Sequence, residues 1–190
     1  FQMFLEQGYE ATGIRSICKA AEAELPTLYY HFGSKKGLFL SLANSLRQSY
    51  EPDVLKTDHT SPASPQDFLR DYFFFSMDYA IHHHPETLFF LRYSLFPPKE
   101  LKKEVTSFLE ENQRSKNAVI MPYMEASIQN GIVKLPINQA MLTYWKFINN
   151  NTFDVVFSRW IPEKNELNHL WRTFLHCRLS NEQDVYTKEV

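Results

Sequence analysis

Apolar residues in this chain recur at spacings of three and four from one end to the other, and strict alternation of apolar and polar residues is hard to find. Spacings of three and four line up side chains on one face of a helix, whereas a half-buried strand needs a period of two. The chain therefore reads as all-α, with about nine helices. Glycine agrees with this, since only five of the 190 residues are Gly and helix interiors disfavour it. Helix breaks are expected near Gly8, at Glu22 to Glu24, at Phe32 to Ser34, through Thr57 to Pro65, at Pro85, at Pro97 and Pro98, at Gly131 to Pro136, and at Pro162. The helix from about Lys35 to Lys56 is expected to run from a small N-terminal head, residues 1–50, into a larger body, residues 51–190. Phe1 falls inside a helical pattern, so a preceding stretch of the first helix is expected.

Composition narrows the function classes. Hydrophobic residues at 44% and charged residues at 22% are ordinary for a soluble protein, while aromatics at 15%, led by sixteen Phe, are in excess. The two cysteines, Cys18 and Cys177, stand far apart in sequence, which argues against a disulfide framework and for a reducing, cytoplasmic setting. Apolar runs break off well short of the roughly twenty residues a membrane span requires, so no membrane partner is expected. His82, His83 and His84 are adjacent on a helix and point about 100° apart, so they cannot all face one metal ion. No metal or cofactor is expected. Catalytic spacings of the Ser/His/Asp, paired-carboxylate or Gly-rich phosphate kinds are missing too, and the chain reads as a binding protein rather than an enzyme.

Net charge is −2, with a balance of +1 over the first fifty residues, where five basic side chains meet four acidic ones. That asymmetry has the sign a nucleic-acid partner needs, but little size. The local pattern says more. Ile14, Ile17, Cys18 and Ala21 make the stripe of one buried helix face, with Thr12 as its expected N-cap. A break follows, then Pro26 in the first turn of a new helix, where a missing N–H costs little, and Leu28 and Phe32 facing inward. Two short helices across a tight turn make a helix-turn-helix, whose second helix enters the DNA major groove.

The segment FLEQGYEATGIRSICKAAEAELPTLYYHFGSKKGLF, positions 4 to 39, resembles the DNA-binding signature of the tetracycline-repressor (TetR) family. The match lies in Phe-Leu-x-x-Gly-Tyr ending helix 1, Thr-x-Ile-Arg opening helix 2, Thr-Leu-Tyr-Tyr-His-Phe in helix 3 and Ser-Lys-Lys-x-x-Leu-Phe opening helix 4. Thr12, Thr27, Tyr29, Tyr30, His31 and Lys35 are suitable phosphate donors, which fix register without reading sequence. Arg15 is the candidate for a bidentate guanine contact, and Leu25, Pro26 and Thr27 are candidates for thymine methyls. Lys36 reads as a solvated charge. Three residues depart from the family pattern. Glu22 stands at the turn position usually filled by Gly, Gly13 lacks a hydroxyl, and Glu24 sets a carboxylate against the DNA backbone.

The body is aromatic throughout. Its apolar stripes serve to fill a core, or to line a ligand pocket of the kind the resemblance implies between the central helices. The candidate ligand residues are Phe68, Tyr72, Phe75, Tyr79, Phe90, Tyr93, Met124, Trp145, Asn149 and Phe153. Pro122 is expected to kink the long helix from Lys99 to about Asn130, and Gly131 to end it. In the family the last two helices form a dimer seam, implying Val156, Phe157, Leu167, Leu170, Trp171, Phe174 and Arg178 as its residues here; the same stripes would also serve packing within one chain. The expected function is a homodimeric repressor on double-stranded operator DNA, released by a small hydrophobic or aromatic effector. The alternative is a ligand-sensing or protein-interaction module on the same scaffold that has lost specific DNA binding.

Overall fold

The computed structural model describes residues 1–56 and 64–179, so most of the expected loop Thr57 to Pro65 lies outside the described residues. Nine α-helices occur among them: α1 Gln2–Ala11, α2 Ile14–Ala20, α3 Leu25–Phe32, α4 Lys35–Lys56, α5 Pro65–His82, α6 His84–Leu95, α7 Lys102–Gln129, α8 Ile137–Phe157 and α9 Lys164–Phe174. A 3-10 turn, Lys99–Leu101, precedes α7, and a π-helical turn, Leu175–Leu179, follows α9. No strand is present among the described residues. Packing gathers the chain into two compact units, one of Phe1–Thr57 with His83–Asn112, the other of Asp58–His82 with Gln113–Val190.

The first unit therefore holds more than the N-terminal head, because α6 and the opening of α7 share its core. Phe4, Tyr9, Phe39, Ala43, Phe89, Tyr93, Leu101 and Val105 are buried together. Phe39 is the centre, with ring contacts to Phe4 at 5.4 Å, Tyr9 at 5.2 Å, Phe89 at 5.5 Å and Tyr93 at 4.8 Å. Gly8 kinks α1 with a φ of +83° rather than ending it, and the helix resumes to Ala11. This displaces the role expected of Thr12. Because α1 continues past Gly8, Thr12 closes α1 instead of opening α2, and the N-cap of α2 is Gly13.

The turn between α2 and α3 takes the Schellman form, in which two backbone N–H groups fold back onto the last carbonyls of the helix. Ala23 N–H donates to the Cys18 carbonyl at 3.0 Å and Glu22 N–H to that of Lys19 at 3.4 Å. The motif puts its C′ residue in the left-handed region, and Glu22 sits there with a φ of +49°. Ala21, expected on the buried stripe of α2, is instead exposed in this turn, while Cys18 is buried and Ile14 and Ile17 are half-buried. At the next corner the Ser34 hydroxyl caps α4 by accepting from the Gly37 N–H at 3.0 Å.

In the second unit α5, the later part of α7, α8 and α9 enclose Phe68, Leu69, Tyr72, Phe73, Met77, Ile120, Met124, Tyr144, Ile148, Trp171 and Phe174. The Tyr144 hydroxyl donates to the Leu69 carbonyl at 2.7 Å, which removes a buried polar atom from the debit side of the fold. The helix α7 runs on through Pro122, and Gly131 follows shortly after its end.

Two substitutions test this geometry. A Cβ on Gly37 would stand 1.9 Å from the Phe32 carbonyl oxygen. Gly→Ala inside a helix ordinarily stabilises by roughly 0.5–1 kcal/mol, but overpacking costs about 1–3 kcal/mol, so Gly37→Ala should lower the denaturation midpoint of the first unit. At Glu22 the left-handed backbone costs a residue with a Cβ roughly 1–2 kcal/mol, partly offset by the greater chain entropy of glycine when unfolded. Glu22→Gly should then stabilise by about 0.5–1 kcal/mol in the same measurement; a loss of stability would contradict the strain.

Candidate functional site

The surface of the first unit is built outward from α2 and α3. Leu28 is buried and anchors α3, so one turn of that helix is committed to the interior and the opposite side faces out. On that outer side Pro26, Thr27, Tyr29, Tyr30 and His31 are exposed, Tyr30 at 85%, and Leu25 is half-buried. Tyr30 and His31 meet edge to face at 5.2 Å, which gives the face a paired hydroxyl and imidazole. Arg15 is exposed on α2. These seven side chains are a dense set of donors and apolar tips on two neighbouring helices, suited to phosphate oxygens and base edges. Glu24, exposed as the N-cap of α3, makes no side-chain cap bond.

Two expected donors are placed differently. Thr12 is fully buried, its hydroxyl donating to the Gly8 carbonyl at 2.6 Å with the Met3 carbonyl 3.0 Å away. The Gly8 carbonyl also accepts the Thr12 backbone N–H at 3.3 Å, so Thr12 closes α1 with both its backbone and its side chain. Lys35 is half-buried, its ammonium donating to the Glu10 carbonyl at 3.2 Å and lying 4.4 Å above the Tyr9 ring. Lys36 is not a simple solvated charge, since it pairs with Glu104. The ammonium donates to that carboxylate and holds its pKa below the usual range. The pair thus favours the fold above the ordinary carboxylate range and loses that contribution as pH falls through the lowered value.

Sequence reading missed the residues that grip α1. From α6, Arg92 donates to the Leu5 carbonyl and the Tyr93 hydroxyl to the Phe4 carbonyl at 2.8 Å. The Tyr9 hydroxyl donates to Glu100, and burial followed by this bond to a carboxylate raises its pKa. A Cβ on Gly8 would lie 2.9 Å from the Arg92 guanidinium, so both the positive φ and the close approach select glycine there. A lone arginine after the apolar run Leu88 to Leu91 of α6 was the one signal available in the sequence.

In the second unit Phe68, Tyr72, Tyr79, Met124 and Trp145 are buried and Phe75 is half-buried. Tyr72 meets Trp145 edge to face at 5.8 Å, and Phe68 stacks on Tyr123 with ring centroids 3.6 Å apart. The Trp145 indole N–H donates to Asn117 Oδ1 at 2.7 Å, and the Gln113 amide donates to the same oxygen at 2.9 Å. Gln113, Asn117 and Tyr123 were not anticipated, because they lie on the charged half of α7 or beside Pro122, where no apolar stripe marks them. The remaining expected ligand residues are elsewhere. Phe90 and Tyr93 belong to the first unit, Phe90 stacked on Phe108 and the Tyr93 hydroxyl engaged by Phe4. Asn149 and Phe153 are exposed on α8.

Of the residues expected at a dimer seam, Val156, Leu167, Trp171 and Phe174 are buried within the unit and Leu170 is half-buried. Phe174 stacks on Phe147 at 4.0 Å and Trp171 lies 6.4 Å from Phe73, so the aromatic stripe of α9 is consumed by packing inside the chain. Phe157 is exposed, in ring contact with Phe153 at 4.2 Å, and Leu142 and Ile161 are exposed as well. The Arg178 side chain lies outside the described residues. No described helix is long and apolar enough to cross a membrane, and no group of three or more His, Cys, Asp and Glu that could hold a metal ion occurs among the described residues.

Comparison with known proteins agrees with the head and with the helical body. Residues 1–42 match the family described as bacterial regulatory proteins, tetR family. The chain is 25% identical over 137 residues to the HTH-type transcriptional repressor NicS of Pseudomonas putida, a match covering 70% of this chain and 61% of that one. It is 42% identical over 43 residues to the HTH-type transcriptional regulator QacR of Staphylococcus aureus, covering 23% of each. The matched stretch thus spans less than two thirds of either relative. Among solved structures, a tetR-family regulatory protein from Rhodococcus RHA1 superposes with a TM-score of 0.68 at 18% identity, covering 92% of this chain and 90% of the other. With the signature on α1 to α4, the family match over residues 1–42 and the shared all-helical fold, the chain is similar to the tetR family of bacterial regulatory proteins in its head and in its fold.

Proposed function

We propose that this protein is a transcriptional regulator that binds operator DNA through α3 and Arg15 as a homodimer, and that it is a repressor released by a small hydrophobic or aromatic ligand. The observation that carries the reading is the outward face of α3, where Pro26, Thr27, Tyr29, Tyr30 and His31 are exposed together beside an exposed Arg15. Tyr, Thr and His donors there would bond phosphates and set register, and Arg15 would read a base edge. Thr12 has no such role in this scheme, because its hydroxyl is engaged inside α1. A second reading, a ligand or protein-interaction module that has lost specific DNA binding, draws on Glu22 in a strained turn and on the exposed carboxylate of Glu24.

The homodimer draws support from α8, where Leu142, Phe153 and Phe157 fall on one helical stripe and are exposed, with Ile161 just beyond. Isologous contact of such a stripe would join two copies of the chain, each carrying one α3 for one half-site. The ligand reading draws on the buried rings of the second unit, Tyr72, Phe68 and Trp145, with the polar pair Asn117 and Gln113 beside them.

Fluorescence anisotropy on the natural promoter separates the two readings. Specific binding should weaken steeply with salt, with a log–log slope of roughly −0.9 per phosphate contacted. Arg15→Ala should cost about 1–3 kcal/mol and relax preference at one base pair. If no specific complex forms even at low salt, the second reading stands. For assembly, light scattering should give a dimer for the wild type and a monomer for Phe153→Asp with Phe157→Asp; a wild-type monomer at micromolar concentration would exclude the homodimer.

A further inference from the structure

Glu24 is the residue from which α3 starts. The Leu28 N–H donates to its carbonyl at 3.2 Å, and its own backbone is extended, at φ −79° and ψ 143°. A side chain in that place ordinarily accepts from the backbone N–H of the second or third helical residue. The second residue of α3 is Pro26, which has no N–H to give, and Glu24 makes no side-chain cap bond. The next helix of the same unit shows the contrast, since Ser34 caps α4 by accepting from the Gly37 N–H. The Glu24 side chain is exposed, and no hydrogen bond or ion pair engages it among the described residues.

Its neighbours are the residues read above as the DNA face. Pro26 and Thr27 follow it on α3 and are exposed, and Arg15 is exposed on α2. The first residues of a recognition helix are the ones that contact base edges in the major groove. Arginine can only donate there, whereas an ionised carboxylate can only accept. Guanine shows the major groove two acceptors, and thymine an acceptor beside a methyl group. Adenine shows a donor beside an acceptor, and cytosine the donor of its N4 amino group. A carboxylate is therefore repelled by guanine and thymine, meets one favourable and one opposing group on adenine, and is matched by cytosine.

We infer that Glu24 is a specificity-determining residue whose carboxylate accepts from the N4 amino group of one cytosine in the stretch contacted by each α3. With Arg15 as donor, the head then carries one base reader of each polarity. Repulsion from the phosphates lowers affinity on every sequence, and the contact to cytosine restores part of it on one sequence class, so the same charge works as discrimination. This inference rests on the operator-binding reading given above and names a base that the operator carries.

Selection from a randomised duplex DNA library tests it, run in parallel on full-chain wild type, Glu24→Gln and Glu24→Ala at one salt concentration. The wild type should enrich sites with cytosine at one position per α3. Changing that C·G pair to T·A in the enriched duplex should weaken wild-type binding about tenfold in fluorescence anisotropy. Glu24→Gln keeps the length of the side chain and adds a donor, and such an amide pairs with adenine N6 and N7. Preference at that position should move from cytosine to adenine. Glu24→Ala should flatten the preference at that position and leave the others as in the wild type, and the retained positions control for folding of both variants. If both variants enrich the same sites as the wild type, with affinity raised alike on all of them, Glu24 acts only by repelling the backbone and the inference is overturned. Loss of preference at every position in Glu24→Ala also overturns it. A wild type that enriches no sequence removes the operator-binding reading, and this inference with it, whereas enrichment that ignores the Glu24 variants removes the inference alone.

Discussion

Phe39 is the point on which the first unit turns. It is almost wholly buried and touches rings from α1 on one side and α6 on the other. A ring of this size removes a large apolar area from water, worth on the order of 1.5–3 kcal/mol in burial, with a further increment for edge-on contacts. Three of its four ring contacts are edge-on and the fourth is tilted. The outward set of α3 depends on this packing, since α3 is itself short and has one buried residue, Leu28. A helix of eight residues does not persist alone in water; it is held because α2 and α4 are held.

Polar contacts add direction to the apolar hub. α1 is kinked at Gly8; the Leu5 and Phe4 carbonyls before the kink are met by Arg92 and Tyr93 from α6, and Thr12 closes the helix end on the Gly8 carbonyl. Glu100 and Glu104, one turn apart at the start of α7, meet Tyr9 of α1 and Lys36 of α4. The lysine pair is partly exposed and contributes little by itself. The exposed face of α3 thus belongs to a unit larger than three helices.

In the second unit aromatic side chains are divided between interior and surface by helix face. Trp171 and Phe174 pack against Phe73, Tyr144 and Phe147, while Phe153 and Phe157 stay outside on α8. The polar end at Asn117 is the exception to an otherwise apolar row.

Helical spacing, scarce glycine and the turn residues determined by themselves that the chain is all-α, where most helices begin and end, and that residues 4 to 39 carry a helix-turn-helix. Those are local properties, set by side chains within a few positions of one another. The sequence also marked Glu22 as a strained turn residue, because a Cβ disfavours the left-handed backbone wherever it stands. Tertiary structure decided the rest. Whether Thr12 faces solvent depended on α1 resuming after Gly8, and whether Trp171 faces a partner or the core depended on Phe73 and Tyr144 being there to receive it. Arg92, Glu104 and Asn117 act on residues from 28 to 87 positions away, and periodicity along a chain carries no record of contacts at that separation.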